Sequence, residues 1–116
     1  MIDHQKIYDT FINPYGKELA AEVIDMFILQ FNEQFFNDLR KDVWERNYLH
    51  LEPNAHDLKG VIGMFGDPLT TTISKKFLGM VQDNTGLQLN ETFDELEHHS
   101  MLLIAELKII RQDLTS

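Results

Sequence analysis

A chain of 116 residues, 43% hydrophobic and 25% charged, is sized for one domain with a single core, spanning 1–116. Ten Lys and Arg against nineteen Asp and Glu leave a net charge of −9, which repels phosphate backbones and anionic lipid and argues against nucleic-acid and membrane partners. The absence of cysteine excludes disulfide and thiolate chemistry, no apolar run approaches the ~20 residues of a membrane span, and no secretory leader opens the sequence, so a cytoplasmic protein is expected.

Helical periodicity dominates. Ile2 to Ile12 reads as a short leading helix with Ile7, Tyr8, Phe11 and Ile12 on its apolar side, ended by Asn13-Pro14-Tyr15-Gly16. From about Lys17 to Trp44, Leu19, Val23, Phe27, Phe31, Phe35, Leu39 and Val43 recur every four residues, with Met26, Ile28, Leu29 and Phe36 widening the stripe. A strict four-residue step drifts around a straight helix, so this segment is expected to curve, change partner or break near Asn32. Asn47 closes it. The next helix carries His56 and either begins near His50 to Glu52 or is kinked there, because Pro53 removes a backbone donor.

Gly66-Asp67-Pro68 reads as stop, N-cap and first turn of a following helix that runs to about Asp83 on Leu69, Ile73, Phe77 and Val81. After the turn Asn84-Thr85-Gly86, a last helix starts near Asn90. Its seam of Phe93, Leu96, Ser100, Leu103, Leu107, Ile110 and Leu114 alternates steps of three and four. That heptad packs either inside the chain's own bundle or against a second chain; the internal reading makes the protein a monomer. No strand alternation, internal repeat or low-complexity tract competes. The fold class expected is all-α, an up-down four-helix bundle with a short additional N-terminal helix.

The segment Ala55-His56-Asp57-Leu58-Lys59-Gly60-Val61-Ile62-Gly63-Met64-Phe65-Gly66 carries the chemistry. At ~100° per residue, Lys59, Gly60 and Gly63 fall on the side of His56, with Met64 at its edge. Ala55, Leu58, Ile62 and Phe65 point the other way. Each glycine inside a helix costs ~0.5–1 kcal/mol relative to alanine. Two in one helix need a reason: close approach by a partner protein, or close packing against a neighbouring helix.

Other residues carry less. Glu95-x-x-His98 matches one arm of a di-iron bundle site, but no second such arm exists, so neither it nor His98-His99 is read as a metal site. His4 and His50 read as surface residues without convergent partners. The glycines are spread along a helix, unlike a nucleotide-binding loop, and no autonomous kinase activity is expected.

The motif, its place in the third helix of a small acidic helical chain, and the helix that restarts after Gly66 together resemble the histidine-containing phosphotransfer (HPt) domain family of phosphorelays. The family core A-H-x-L-K-G is matched by Ala55-His56-Asp57-Leu58-Lys59-Gly60, and its closing glycine by Gly66; helix order and lengths extend the likeness loosely over nearly the whole chain. The resemblance implies that His56 takes a phosphoryl group from an aspartate of one receiver domain and passes it to another. Lys59 would neutralise phosphoryl charge, while Gly60, Gly63 and Met64 would meet the partner. An exposed imidazole, with an unperturbed pKa of ~6.5, is mostly neutral at pH 7 and needs no adjacent base to act as a nucleophile. The metal of such a transfer belongs to the receiver, so the resemblance implies no cofactor and no metal here.

Two departures stand out. The family commonly has a Gln or Glu in the fourth helix that orients the histidine or phosphoryl group; the position here is about Leu78, with Lys75, Lys76 and Gln82 as substitutes. The leucine after the closing glycine comes one residue early, at Leu69. The alternative function is therefore a phosphate-independent adaptor of the same fold that binds a receiver or kinase. An initial Met and 116 residues favour a free-standing protein over a piece of a sensor kinase.

Overall fold

In the computed structural model, which describes residues 2–84 and 86–115, Asp3 caps α1 (His4–Ile7) by accepting the Lys6 amide at 3.0 Å. The helix widens into a π-helical turn (Tyr8–Ile12) and returns to α geometry in α2 (Asn13–Tyr15). This widening suits the residues present. Pro14 has no amide to donate to the preceding turn. The broader turn also brings Ile7, Phe11 and Ile12 together on the buried side. The helix therefore runs three residues past its expected end at Ile12.

The long helix expected from Lys17 to Trp44 is two helices, α3 (Lys17–Gln30) and α4 (Glu33–Glu45). They part at Asn32, whose side chain accepts the Phe35 amide at 3.0 Å as the new N-cap. The buried line of α3 is Ala20, Ile24 and Phe27, continued by Phe31. Leu19, Met26 and Leu29, expected in the core, are exposed at 46%, 66% and 77%. The reason is geometric: steps of four overrun the helical turn, and only a mixture of fours and threes stays on one face.

Arg46, in the left-handed region at φ 55°, ends α4, and α5 (Tyr48–Phe65) follows at once. It begins ahead of the expected start, with Pro53 inside it. The missing Pro53 amide deprives the Leu49 carbonyl of its usual partner, at a residue exposed enough for water to serve instead. Gly66 closes α5 at φ 83°, and Asp67 caps α6 (Pro68–Gln82). On α6 the expected apolar Leu69 is 43% exposed, while Thr70 and Ser74 are buried in its place. The last helix is α7 (Leu89–Thr115).

All elements among the described residues are helical. The most extensive packing joins α5 to α6 and α6 to α7; α4 packs on α5, and α7 meets both α3 and α4. Phe65 is held between Phe11 and Phe27, ring centroids 4.9 Å away on either side at 75° and 66°, which fixes the C-terminal end of α5. On α7, Phe93, Leu96, Ser100, Leu103, Leu107 and Ile110 are buried within the chain. Apart from the half-buried Leu114, that seam is thus taken up internally, which leaves dimerisation through it, one of the expected alternatives, without an open apolar face. None of the described helices is long and apolar enough to cross a membrane.

Candidate functional site

The inward side of α5 is Leu51, Ala55, Leu58, Ile62 and Phe65, spaced four, three, four and three, every one of them buried. Its outward side consequently carries Leu49, Glu52, Pro53, His56, Asp57, Gly60 and Gly63, all exposed. Lys59 and Met64 are half-buried, one on each edge of this ridge. A shallow open depression beside the imidazole is lined by Leu49, Glu52, Pro53, His56 and Asp57.

A Cβ added at Gly60 or Gly63 would meet nothing within 4 Å. Close packing against another helix of this chain is therefore not the reason for the two glycines, and approach from outside remains. Among the described residues neither His56 nor Lys59 makes a hydrogen bond or an ion pair, so both are available to something that arrives. Met64 belongs to a neighbouring apolar groove between α3 and α5, with Val23, Met26, Phe27, Gln30, Phe31 and Val61.

The turn behind this ridge is built rigidly. Gly66 has no room for a side chain: a Cβ there would lie 2.7 Å from Thr10. Asp67 is buried, its Oδ1 accepting the Asp3 amide at 2.9 Å and its Oδ2 accepting the Thr70 amide at 3.1 Å and the Thr70 hydroxyl at 2.6 Å. Burial opposes ionisation, but these three donors outweigh it and hold the Asp67 carboxyl below the ordinary carboxylate range. The N-terminal segment is thereby tied to the junction of α5 and α6.

Leu78, at the position where a polar orienting residue was sought, is buried in the core. Lys75, Lys76 and Gln82 are exposed and make no hydrogen bond to His56. His4 and His50 do have partners, contrary to expectation. His4 touches Glu106 and lies against Tyr8 with ring centroids 5.1 Å apart; His50 Nδ1 is 3.2 Å from Asn47 and 3.7 Å from Asp42. The His98 and His99 rings meet edge to face at 5.4 Å. Among the described residues no group of three or more His, Asp or Glu could hold a metal ion.

Sequence reasoning overlooked Leu49, Glu52, Pro53 and Asp57 as neighbours of the imidazole. The spacing held the signal, since positions seven, four and three before His56 share its face of a helix. Compared with known proteins, the chain matches no family model, no curated protein and no solved structure.

Proposed function

We propose that this chain is a histidine phosphotransfer domain, an up-down four-helix bundle with a short N-terminal helix, working in the cytoplasm between receiver domains. His56 accepts a phosphoryl group from a receiver's aspartyl phosphate and relays it to another. One observation supports this best: an imidazole stands exposed on α5 with open backbone at Gly60 and Gly63 beside it and an unpaired Lys59 one turn on.

In the transfer, the unprotonated ring nitrogen of His56 attacks phosphorus. The N–P bond forms as the acyl P–O bond breaks, and the receiver's carboxylate leaves with that electron pair. The other ring nitrogen gives up its proton to solvent. Lys59, one turn on, offsets with its ammonium group the negative charge that settles on α5. The bare backbone at Gly60 and Gly63 lets a second protein bring its carboxyl within bonding reach, the proximity on which an unassisted nucleophile depends.

A receiver domain phosphorylated with a small-molecule donor should label the wild-type chain and leave His56→Ala unlabelled. Equal labelling of both overturns the proposal. The burial of Leu78 favours a second reading, an adaptor of the same shape that docks a receiver without transfer. Binding that survives His56→Ala, with no acid-labile phosphate formed, would select it.

A further inference from the structure

With its buried seam facing inward, α7 still carries a second heptad on its outward side. Glu95, His98, Leu102, Ala105, Ile109 and Gln112 recur at steps of three and four, and every one of them is exposed. Leu102 is 39% and Ile109 53% open, and together with Ala105 they form an apolar depression flanked by Ile2 and by the His4–Glu106 contact. A surface helix needs one apolar stripe, which α7 already spends on its own core; a second at coiled-coil spacing is surplus to the fold.

We infer that this outward stripe pairs two copies of the chain, α7 against α7 in antiparallel orientation. The sequence of the stripe matches itself in that direction. Turning one copy about a two-fold axis near Leu103 sets Leu102 beside Ala105 of the second copy and Ile109 over His98 of the second copy. Large side chains then meet small or flat ones, twice over by symmetry. Charge selects the same orientation. The first turns of α7 bear Glu91, Asp94, Glu95 and Glu97, of which Glu97 is paired with Arg40, whereas its last turns mix Lys108 and Arg111 with Asp113 and end outward in Gln112 and Thr115. An antiparallel pair lays the acidic end against this mixed, near-neutral one. A parallel pair would stack the carboxylates on themselves, in a chain already at net −9.

The size of the face sets the strength. At ~1.5 Å per residue, the stripe from Glu95 to Gln112 is ~27 Å long and ~10–12 Å wide, smaller than a standard specific interface, which makes the pair weak and concentration-dependent. The His56 ridge is the outward side of α5, which packs chiefly on α6 and α4, so pairing through α7 leaves that ridge uncovered. The monomer expected from internal use of the first heptad is then only the dilute form, and the pairing does not depend on His56 carrying phosphate.

Sedimentation velocity of the full chain from micromolar to near-millimolar concentration tests the pairing. Wild type should shift from monomer to dimer over that range. Leu102→Glu and Ile109→Glu, both at exposed positions that the fold does not need, should each weaken dimerisation by about tenfold or more. Leu29→Glu, at an exposed leucine on α3, should not. Because the chain lacks cysteine, a mixture of His98→Cys and Ile109→Cys chains should cross-link to one another on oxidation, and neither variant to itself. Wild type that stays monomeric throughout, a dimer indifferent to both α7 substitutions, a dimer broken by Leu29→Glu, or His98→Cys linking to itself would each overturn the inference.

Discussion

Replacing Gly60 and Gly63 by alanine should stabilise the protein while impairing what it does. Both glycines lie inside α5, both are exposed, and a methyl group at either would meet nothing within 4 Å. No steric penalty therefore opposes the gain from restricting the unfolded chain and improving helix propensity, about 0.5–1 kcal/mol per site. The two positions are three apart on one face and share no packed neighbour, so the double variant should gain about 1–2 kcal/mol. For a domain of this size that corresponds to a melting temperature higher by roughly 4–8 °C. Urea unfolding followed by circular dichroism should show a higher midpoint with an unchanged slope. Phosphoryl transfer from a receiver should fall in the alanine variant and fall further when leucine occupies both sites, because bulk is then added where the proposed partner would come close. Two results would refute this reasoning. A lower unfolding midpoint for the alanine variant would mean the glycines serve the fold after all. Leucine variants that transfer as fast as wild type would mean no partner approaches there.

Three further outcomes follow from the supporting structure. Gly66→Ala forces a side chain into the left-handed region at φ 83° and against Thr10 at 2.7 Å, and should cost about 2 kcal/mol or more, read as a lower urea midpoint. Asp67→Asn removes the charge and sets an amide NH2, itself a donor, against either the Asp3 amide or the Thr70 pair, and should cost about 1–2 kcal/mol at pH 7. The folded-state pKa of Asp67 is depressed, so its contribution is complete above the unfolded value near 3.8 and is lost as pH falls through the lower folded value. The gap between wild type and Asp67→Asn should therefore close on acidification; a gap independent of pH would contradict the assignment. Ser100 buries a hydroxyl that has no hydrogen-bond partner among the described residues, so Ser100→Ala should be neutral or stabilising by up to about 1 kcal/mol in the same unfolding assay.

Local chemistry made much of this fold legible. The break at Asn32 could be anticipated because four-residue spacing cannot stay on one helical face and because asparagine is a good cap. Gly66-Asp67-Pro68 announced its own stop, cap and first turn. The face of α5 that carries His56 was legible for the same reason, since its apolar residues keep a regular four-three step. Elsewhere residue type misled. Leu19, Met26 and Leu29 are as hydrophobic as core residues, and only the neighbours they lack reveal that they are exposed. The start of α5 was hidden by Pro53, which a helix accepts when the orphaned carbonyl faces water. The tie between Asp3 and Asp67 spans 64 positions, and no local pattern could signal it. Nor could sequence decide why α5 holds two glycines; that required the empty space above them.

If His56 is the phosphoryl acceptor, mapping the modified residue will find the group there and nowhere else. After incubation with a phosphorylated receiver domain, the protein should be digested at neutral pH and its peptides weighed. The account predicts one added phosphoryl group on the peptide bearing His56, removed by brief acid treatment. A phosphoryl group on His4, His50, His98 or His99 instead, or one that survives acid, would contradict it.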